Sequence, residues 1–140
     1  MEVRLTKLDR QTFKTCTAIV RALVVCKIGM LRITPWHPIL LEGAWIFPCD
    51  IAPVEHVPLK TVYNVLLDEG HILDVEETLC VTLAHDFKES VVEHEFFGTE
   101  RVVDDLKKAA GWDIGLPTYQ NLGAHRNSET GRIIGWYDNL

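Results

Sequence analysis

Between residues 61 and 84, three segments rich in Val, Leu and Ile alternate with two groups of turn-forming residues. The segments are 61–67, 71–75 and 78–84, and the turns are Asp68-Glu69-Gly70 and Glu76-Glu77. Apolar runs this short, bounded by turn residues, fit strands better than helices. The spacing predicts a three-strand antiparallel meander and makes the chain mainly β.

The flanking sequence extends that expectation. Residues 17–28 form one β-branched run that reads as a strand buried on both faces, and residues 31–33 start another that stops at Pro35. Residues 39–41, a turn at Glu42-Gly43 and residues 44–47 predict a short hairpin. Six prolines fall between residues 35 and 117, five of them by residue 58, which confines regular structure there to short pieces. The pattern then changes once. Thr99 stands at an N-cap position, and Val102, Val103, Leu106, Ala109 and Ala110 recur at helical spacing before Gly111. A helix of about three turns is expected near residues 100–110. Asn127 to Gly131 is a turn and residues 132–137 a last strand, whereas residues 1–15 are polar and poorly patterned. The expected organisation is that N-terminal segment followed by a single β-domain over residues 16–140.

A chain of 140 residues, 47% hydrophobic, is long enough for one domain with a real core. The formal net charge is −6, and the one basic doublet, Lys107-Lys108, lies close to Asp104 and Asp105. A phosphate-tracking surface, and with it nucleic-acid binding, is therefore not expected. The 17–28 run is interrupted by Arg21 and Lys27 and is too short to cross a bilayer. The start of the chain carries Glu2, Arg4, Lys7, Asp9 and Arg10 rather than an apolar signal region, so the expected location is cytoplasmic with reduced thiols and no membrane partner. Cys16, Cys26, Cys49 and Cys80 show no zinc spacing. Cys49, His56, His71, His85 and His94 are metal-ligand types without short pairing, so neither a metal nor a cofactor is expected. Glu93-His94-Glu95 reads as a solvated loop, and the four tryptophans as core and turn anchors.

Thr34-Pro35-Trp36-His37 is the first candidate for chemistry. A hydroxyl and an imidazole three residues apart at a strand end can converge on one peptide bond. The hydroxyl would orient the amide while the imidazole supplies a proton to its nitrogen. Taken alone, the four residues fit a structural histidine at a strand end better than they fit catalysis.

Their surroundings change that balance. Residues 31–39, LRITPWHPI, followed by GAWIFP at 43–48, resemble the Thr-x-x-His region of Hint (hedgehog/intein-like) domains. VYNVLLDEGH at 62–71 is similar to a later Hint strand pair with its turn histidine, and LCVTLAH at 79–85 to the cysteine-bearing strand that follows. Phe96-Phe97-Gly98-Thr99, then Val103, Asp105, Leu106, Gly111-Trp112, Gly115 and Thr130-Gly131 resemble the Vint branch, Hint domains found beside von Willebrand type A domains and sometimes U-box domains. The resemblance runs in order from about residue 16 to 137.

That resemblance implies a Hint-like β-domain and autoprocessing. The first residue of an active Hint domain is a cysteine whose thiol attacks the preceding carbonyl and converts an amide to a thioester. Thr34 would polarise that amide and His37 would protonate the departing nitrogen. Cys80 falls where some Hint domains carry a second cysteine near the site, and His71 would face the site from its turn. The chain departs from the pattern in one place: residues 1–14 contain no cysteine, and Cys16 matches an internal strand rather than the opening block. The expectation is a partial Hint domain that is not self-cleaving on its own. Splicing is disfavoured too, because the chain runs on past Cys80 and Asn139 has no adjacent histidine. The alternative is a non-catalytic β-domain for protein contacts in a ubiquitin-linked von Willebrand A protein. On either view the implied partners are other proteins or the chain's own upstream domains.

Overall fold

The computed structural model describes residues 5–6, 13–19, 23–58, 61–119 and 124–136. In chain order the strands are β1 (Leu5–Thr6), β2 (Phe13–Ile19), β3 (Leu23–Ile28), β4 (Leu31–Ile33), β5 (Ile39–Leu41), β6 (Ala44–Ile46), β7 (Val54–Val57), β8 (Thr61–Leu67), β9 (Ile72–Val75) and β10 (Thr78–Val81). The helix α1 (Glu100–Leu106) follows, then β11 (Thr118–Tyr119), β12 (Ala124–Arg126) and β13 (Ile133–Trp136). The architecture is mainly β, as the alternating segments require. The short hairpin forms as expected, with Ile39 opposite Ile46 and Leu41 opposite Ala44.

The strands sort into small sheets. Five lie in the order β1-β9-β10-β5-β6, three in the order β4-β3-β7, three in the order β11-β2-β8, and β12 pairs with β13. Two expectations change here. The single strand foreseen over residues 17–28 is two strands in different sheets, β2 against β8 and β3 between β4 and β7. A long apolar run has no period that marks where a chain leaves one sheet for another. The meander also opens: β9 and β10 form a hairpin, but β8 pairs instead with β2 over seven positions, from Phe13 opposite Leu67 to Ile19 opposite Thr61. Gly70 and His71 both take positive φ, 82° and 52°, and that left-handed corner turns the chain from one sheet into the other. Strand structure also begins before residue 16, in β1 and at Phe13.

Two clusters make the core. The first gathers Leu31, Ile33, Ile39, Val65, Leu67, Leu73, Val75 and Cys80. The second gathers Leu83, Phe96, Val102, Val103 and Leu106, with Leu66, Ala84, Trp112 and Ile133 packed against it. Strand β8 stands between them: Val65 and Leu67 serve the first, and Leu66 serves the second. The strand period of two produces that division. The chain crosses from one core to the other between Cys80 and Leu83. The last strand of the expected meander therefore ends at Val81, and Ala84 adopts φ 55° rather than continuing it.

The helix is shorter than its apolar spacing suggests. It spans seven residues, and tighter bonds such as Ala109 N–H to the Leu106 carbonyl (3.0 Å) close it off. Gly111, at φ 92°, precedes a 3₁₀ turn over Trp112–Ile114 instead of capping α1 directly. A side chain there would collide with the Leu116 carbonyl. Thr99 is the N-cap, its hydroxyl oxygen accepting from the Arg101 amide at 3.3 Å. The Asn127–Gly131 turn forms as read, with the Asn127 side-chain oxygen accepting the amides of Glu129 and Thr130 at 2.8 and 3.0 Å. Tyr137, the expected end of the last strand, lies outside the described residues.

Candidate functional site

Pro35 cannot continue a strand, so the chain turns directly after β4. The His37 amide donates to the Thr34 carbonyl at 3.2 Å and closes the Thr-Pro-Trp-His turn. The Cys49 amide donates to the Pro35 carbonyl at 3.2 Å and ties the turn to the segment after β6. Trp36 points away from the core. It is 69% exposed and meets Phe47 edge-to-face with centroids 5.1 Å apart, so the expectation of an anchored tryptophan fails at this position. Trp45 and Trp112 are half-buried, and the Trp136 side chain lies outside the described residues.

His37 faces inward. Its Nε2 lies 2.7 Å from the Val81 carbonyl oxygen. A carbonyl can only accept, so Nε2 carries the proton and donates. Burial lowers the His37 pKa, with the Val81 bond acting weakly in the opposite direction. At neutral pH the ring is then uncharged, and Nδ1 is its basic atom.

The peptide that holds His37 also holds a second histidine. Val81 supplies its carbonyl, and Thr82 supplies its N–H, which donates to the His71 carbonyl at 2.8 Å. One residue earlier, Cys80 lies opposite Ile39 on one side and Leu73 on the other. Residues 80–82 therefore bring His37, His71 and Cys80 to one stretch of backbone, with Thr34 in the turn that presents His37. The stretch carries unusual costs. His71, a non-glycine residue, sits at φ 52°. Its Nδ1 and the Thr82 Oγ1 are both sealed from solvent without a hydrogen-bond partner. Each such atom costs on the order of 1–3 kcal/mol in a folded protein.

Cys80 is 6% exposed, and its thiol donates to the Thr78 carbonyl at 3.6 Å. Desolvation, reinforced by the carboxylate of Asp74, pushes its pKa up to about 12. It is a neutral thiol in this setting, and thiols attack as thiolates. Cys16 lies opposite Asn64 in the β2–β8 ladder, inside a strand rather than at the start of one.

Two further histidines extend from this stretch. His85 is 6% exposed, with Nδ1 accepting the Phe87 amide at 2.8 Å and its ring stacked on Phe87 at 5.0 Å. Burial lowers its pKa first and the electrostatic influence of the nearby His71 second. His94 accepts the amides of Phe96 and Phe97 on Nδ1 at 3.1 and 3.0 Å. Burial and the nearby Arg132 lower its pKa to about 4. The solvated loop foreseen at 93–95 is thus corrected for its middle residue. Glu93 and Glu95 are exposed, but His94 is half-buried because its ring caps the following turn. A cleft of about 310 Å³, with His94, Thr99 and Arg132 in its wall, opens beside this turn and away from His37. Among the described residues no group of three or more metal-ligand types converges.

Sequence reasoning passed over Thr82 and gave His85 and His94 no place in the site, weighing both as unpaired metal-ligand types and His94 as part of a solvated loop. Thr82 carries one faint signal, the strand alternation from Cys80 that points it inward. His85 and His94 carry none, since a buried imidazole accepting amide protons has no spacing of its own.

A β-rich scaffold with a Thr-x-x-His turn docked on a cysteine-bearing strand has the organisation of a Hint-type domain, a class known for autoprocessing. The Vint family model, described as a Hint-domain, matches residues 1–135, and the chain belongs to that family. No curated protein matches it.

Proposed function

We propose that this domain carries out an N-to-S acyl shift on a peptide bond followed by a cysteine, with His37 as the proton-handling group and Thr34 orienting the amide. The observation that carries the reading is the His37 Nε2 contact to the Val81 carbonyl, which commits one ring nitrogen as a donor and leaves Nδ1 basic. The cysteine thiol passes its proton to Nδ1 as sulfur attacks the carbonyl carbon. Nδ1 then returns the proton to the nitrogen as the C–N bond breaks, leaving a thioester and a free amine. The lowered pKa keeps His37 able to accept at neutral pH. Neither Cys80, whose thiol stays protonated, nor Cys16, inside a strand, supports a nucleophile role as well as a cysteine in an upstream segment does. Neighbouring domains of the same protein would deliver that segment.

The test joins a cysteine-led segment ahead of Met1 and follows intact mass with and without added thiol. Cleavage accelerated by thiol and lost in a folded His37→Ala protein is expected. An intact chain under both conditions removes the reading.

A second reading rests on Trp36, which is 69% exposed beside the site, with Met30, Ile51 and Val54 also exposed. Scattered apolar side chains are ordinary at protein surfaces, but an outward tryptophan favours a protein-contact role. In that case a folded Trp36→Ala protein would lose partner capture while His37→Ala would not.

A further inference from the structure

We propose that Thr82 is the positioning residue of His71, its hydroxyl turning to donate to His71 Nδ1 and fixing that imidazole as the Nε2–H tautomer. The inference rests on the acyl-shift reading for its purpose, but not for its test.

The argument begins with register. β9 and β10 pair with Cys80 opposite Leu73 and Val81 opposite Ile72. One step further the Thr82 amide donates to the His71 carbonyl at 2.8 Å, so Thr82 and His71 are the next opposed pair. Thr82 lies two residues past Cys80 and so on the Cys80 side of its own strand, and the bond to the His71 carbonyl sets His71 directly across from it. Thr82 is 3% exposed. Its Oγ1 and the His71 Nδ1 are both buried polar atoms without a hydrogen-bond partner. Water is shut out from both, and a bond between them satisfies both at once. Rotation about the Thr82 Cα–Cβ bond moves the hydroxyl without disturbing the backbone.

Donation by the hydroxyl makes Nδ1 the acceptor and leaves the ring proton on Nε2. Both imidazoles are then held in the same tautomer from one peptide unit. The Val81 carbonyl accepts from His37 Nε2 and the Thr82 N–H donates to the His71 carbonyl, and the Thr82 hydroxyl would add the bond to Nδ1. His71 pays for its place with a left-handed backbone at φ 52°, a conformation that persists only when surrounding contacts enforce it. His37 keeps a basic Nδ1 for proton transfer, and His71 keeps its ring proton on Nε2.

The experiment reads the imidazole nitrogens of the 140-residue chain by long-range ¹H–¹⁵N correlation. It compares the unaltered protein with Thr82→Ser and the isosteric Thr82→Val, all checked for an unchanged amide spectrum. The expected result is an acceptor-type His71 Nδ1 and a protonated Nε2 in the unaltered and Ser proteins. In Thr82→Val the Nδ1 signal should shift toward the averaged position of a mixed tautomer, with the His37 signals moving less. A His71 spectrum identical in all three proteins, or a His71 protonated on Nδ1 in the unaltered chain, overturns the proposal. The readout requires no cleavage. A chain that shows the shift but never self-cleaves with an upstream cysteine keeps Thr82 as the positioning residue and loses only the acyl-shift reading.

Discussion

Single residues decide how closely the loops before α1 approach the site. At Gly98 an added Cβ would lie 2.7 Å from the His94 carbonyl and 2.9 Å from the His85 ring. The carbonyl cannot give way easily, because it already accepts the Gly98 amide at 3.1 Å within the same turn. Gly98→Ala is therefore expected to cost about 1–3 kcal/mol. A lower urea midpoint with an unchanged slope would register that loss, and an unchanged midpoint would contradict the close packing. The type of residue at 98 was visible in the sequence, but its reason was not. A glycine that makes room for an imidazole thirteen positions earlier has no local signature.

At the scale of elements, capping chemistry was legible and pairing was not. Thr99 was placed as an N-cap from sequence alone, and its hydroxyl oxygen does accept the Arg101 amide. Replacing it with alanine should destabilise the domain by about 1 kcal/mol, read by chemical denaturation, with Thr99→Ser retaining most of that stability. An effect no larger in Ala than in Ser would remove the cap. The 39–46 hairpin and the 127–131 turn were equally legible, because a two-residue connection and an Asn-led turn are local. The β8 partner was not. Seven alternating residues satisfy β2 as readily as they satisfy β9, and the left-handed corner at Gly70 and His71 makes the choice.

For the whole molecule the histidines set the response to acid. Burial lowers the pKa of His37, His85 and His94, the last to about 4. In the unfolded chain each would take a proton near the ordinary value of about 6.5. Below that pH the unfolded state binds more protons than the folded one, so stability falls as pH falls. The contribution is complete above about pH 6.5 and drains away toward pH 4. Denaturation midpoints measured at steps from pH 8 to pH 4 should decline from about pH 6.5 downward. A flat or rising midpoint between pH 7 and pH 5 would show that the rings are not held neutral. The ion pairs Lys88–Asp86 and Lys108–Asp105 are exposed on the lysine side and add little.

The sequence by itself determined what is local or periodic: a β-rich domain, one late helix with its cap, the tight turns, and the Thr34–His37 pair with the Hint family likeness that gave it meaning. The tertiary structure alone decided which strands pair, where the two cores divide, and that the Val81–Thr82 peptide joins His37 to His71. The physical reason is distance along the chain. A turn or cap is settled by neighbours a few residues apart, whereas the site depends on contacts such as His37 to Val81, 44 residues apart. Burial follows from that assembly as well. It pushes the pKa of the Cys80 thiol up to about 12 and lowers the His37 pKa, and neither shift can be read from residue types in a row.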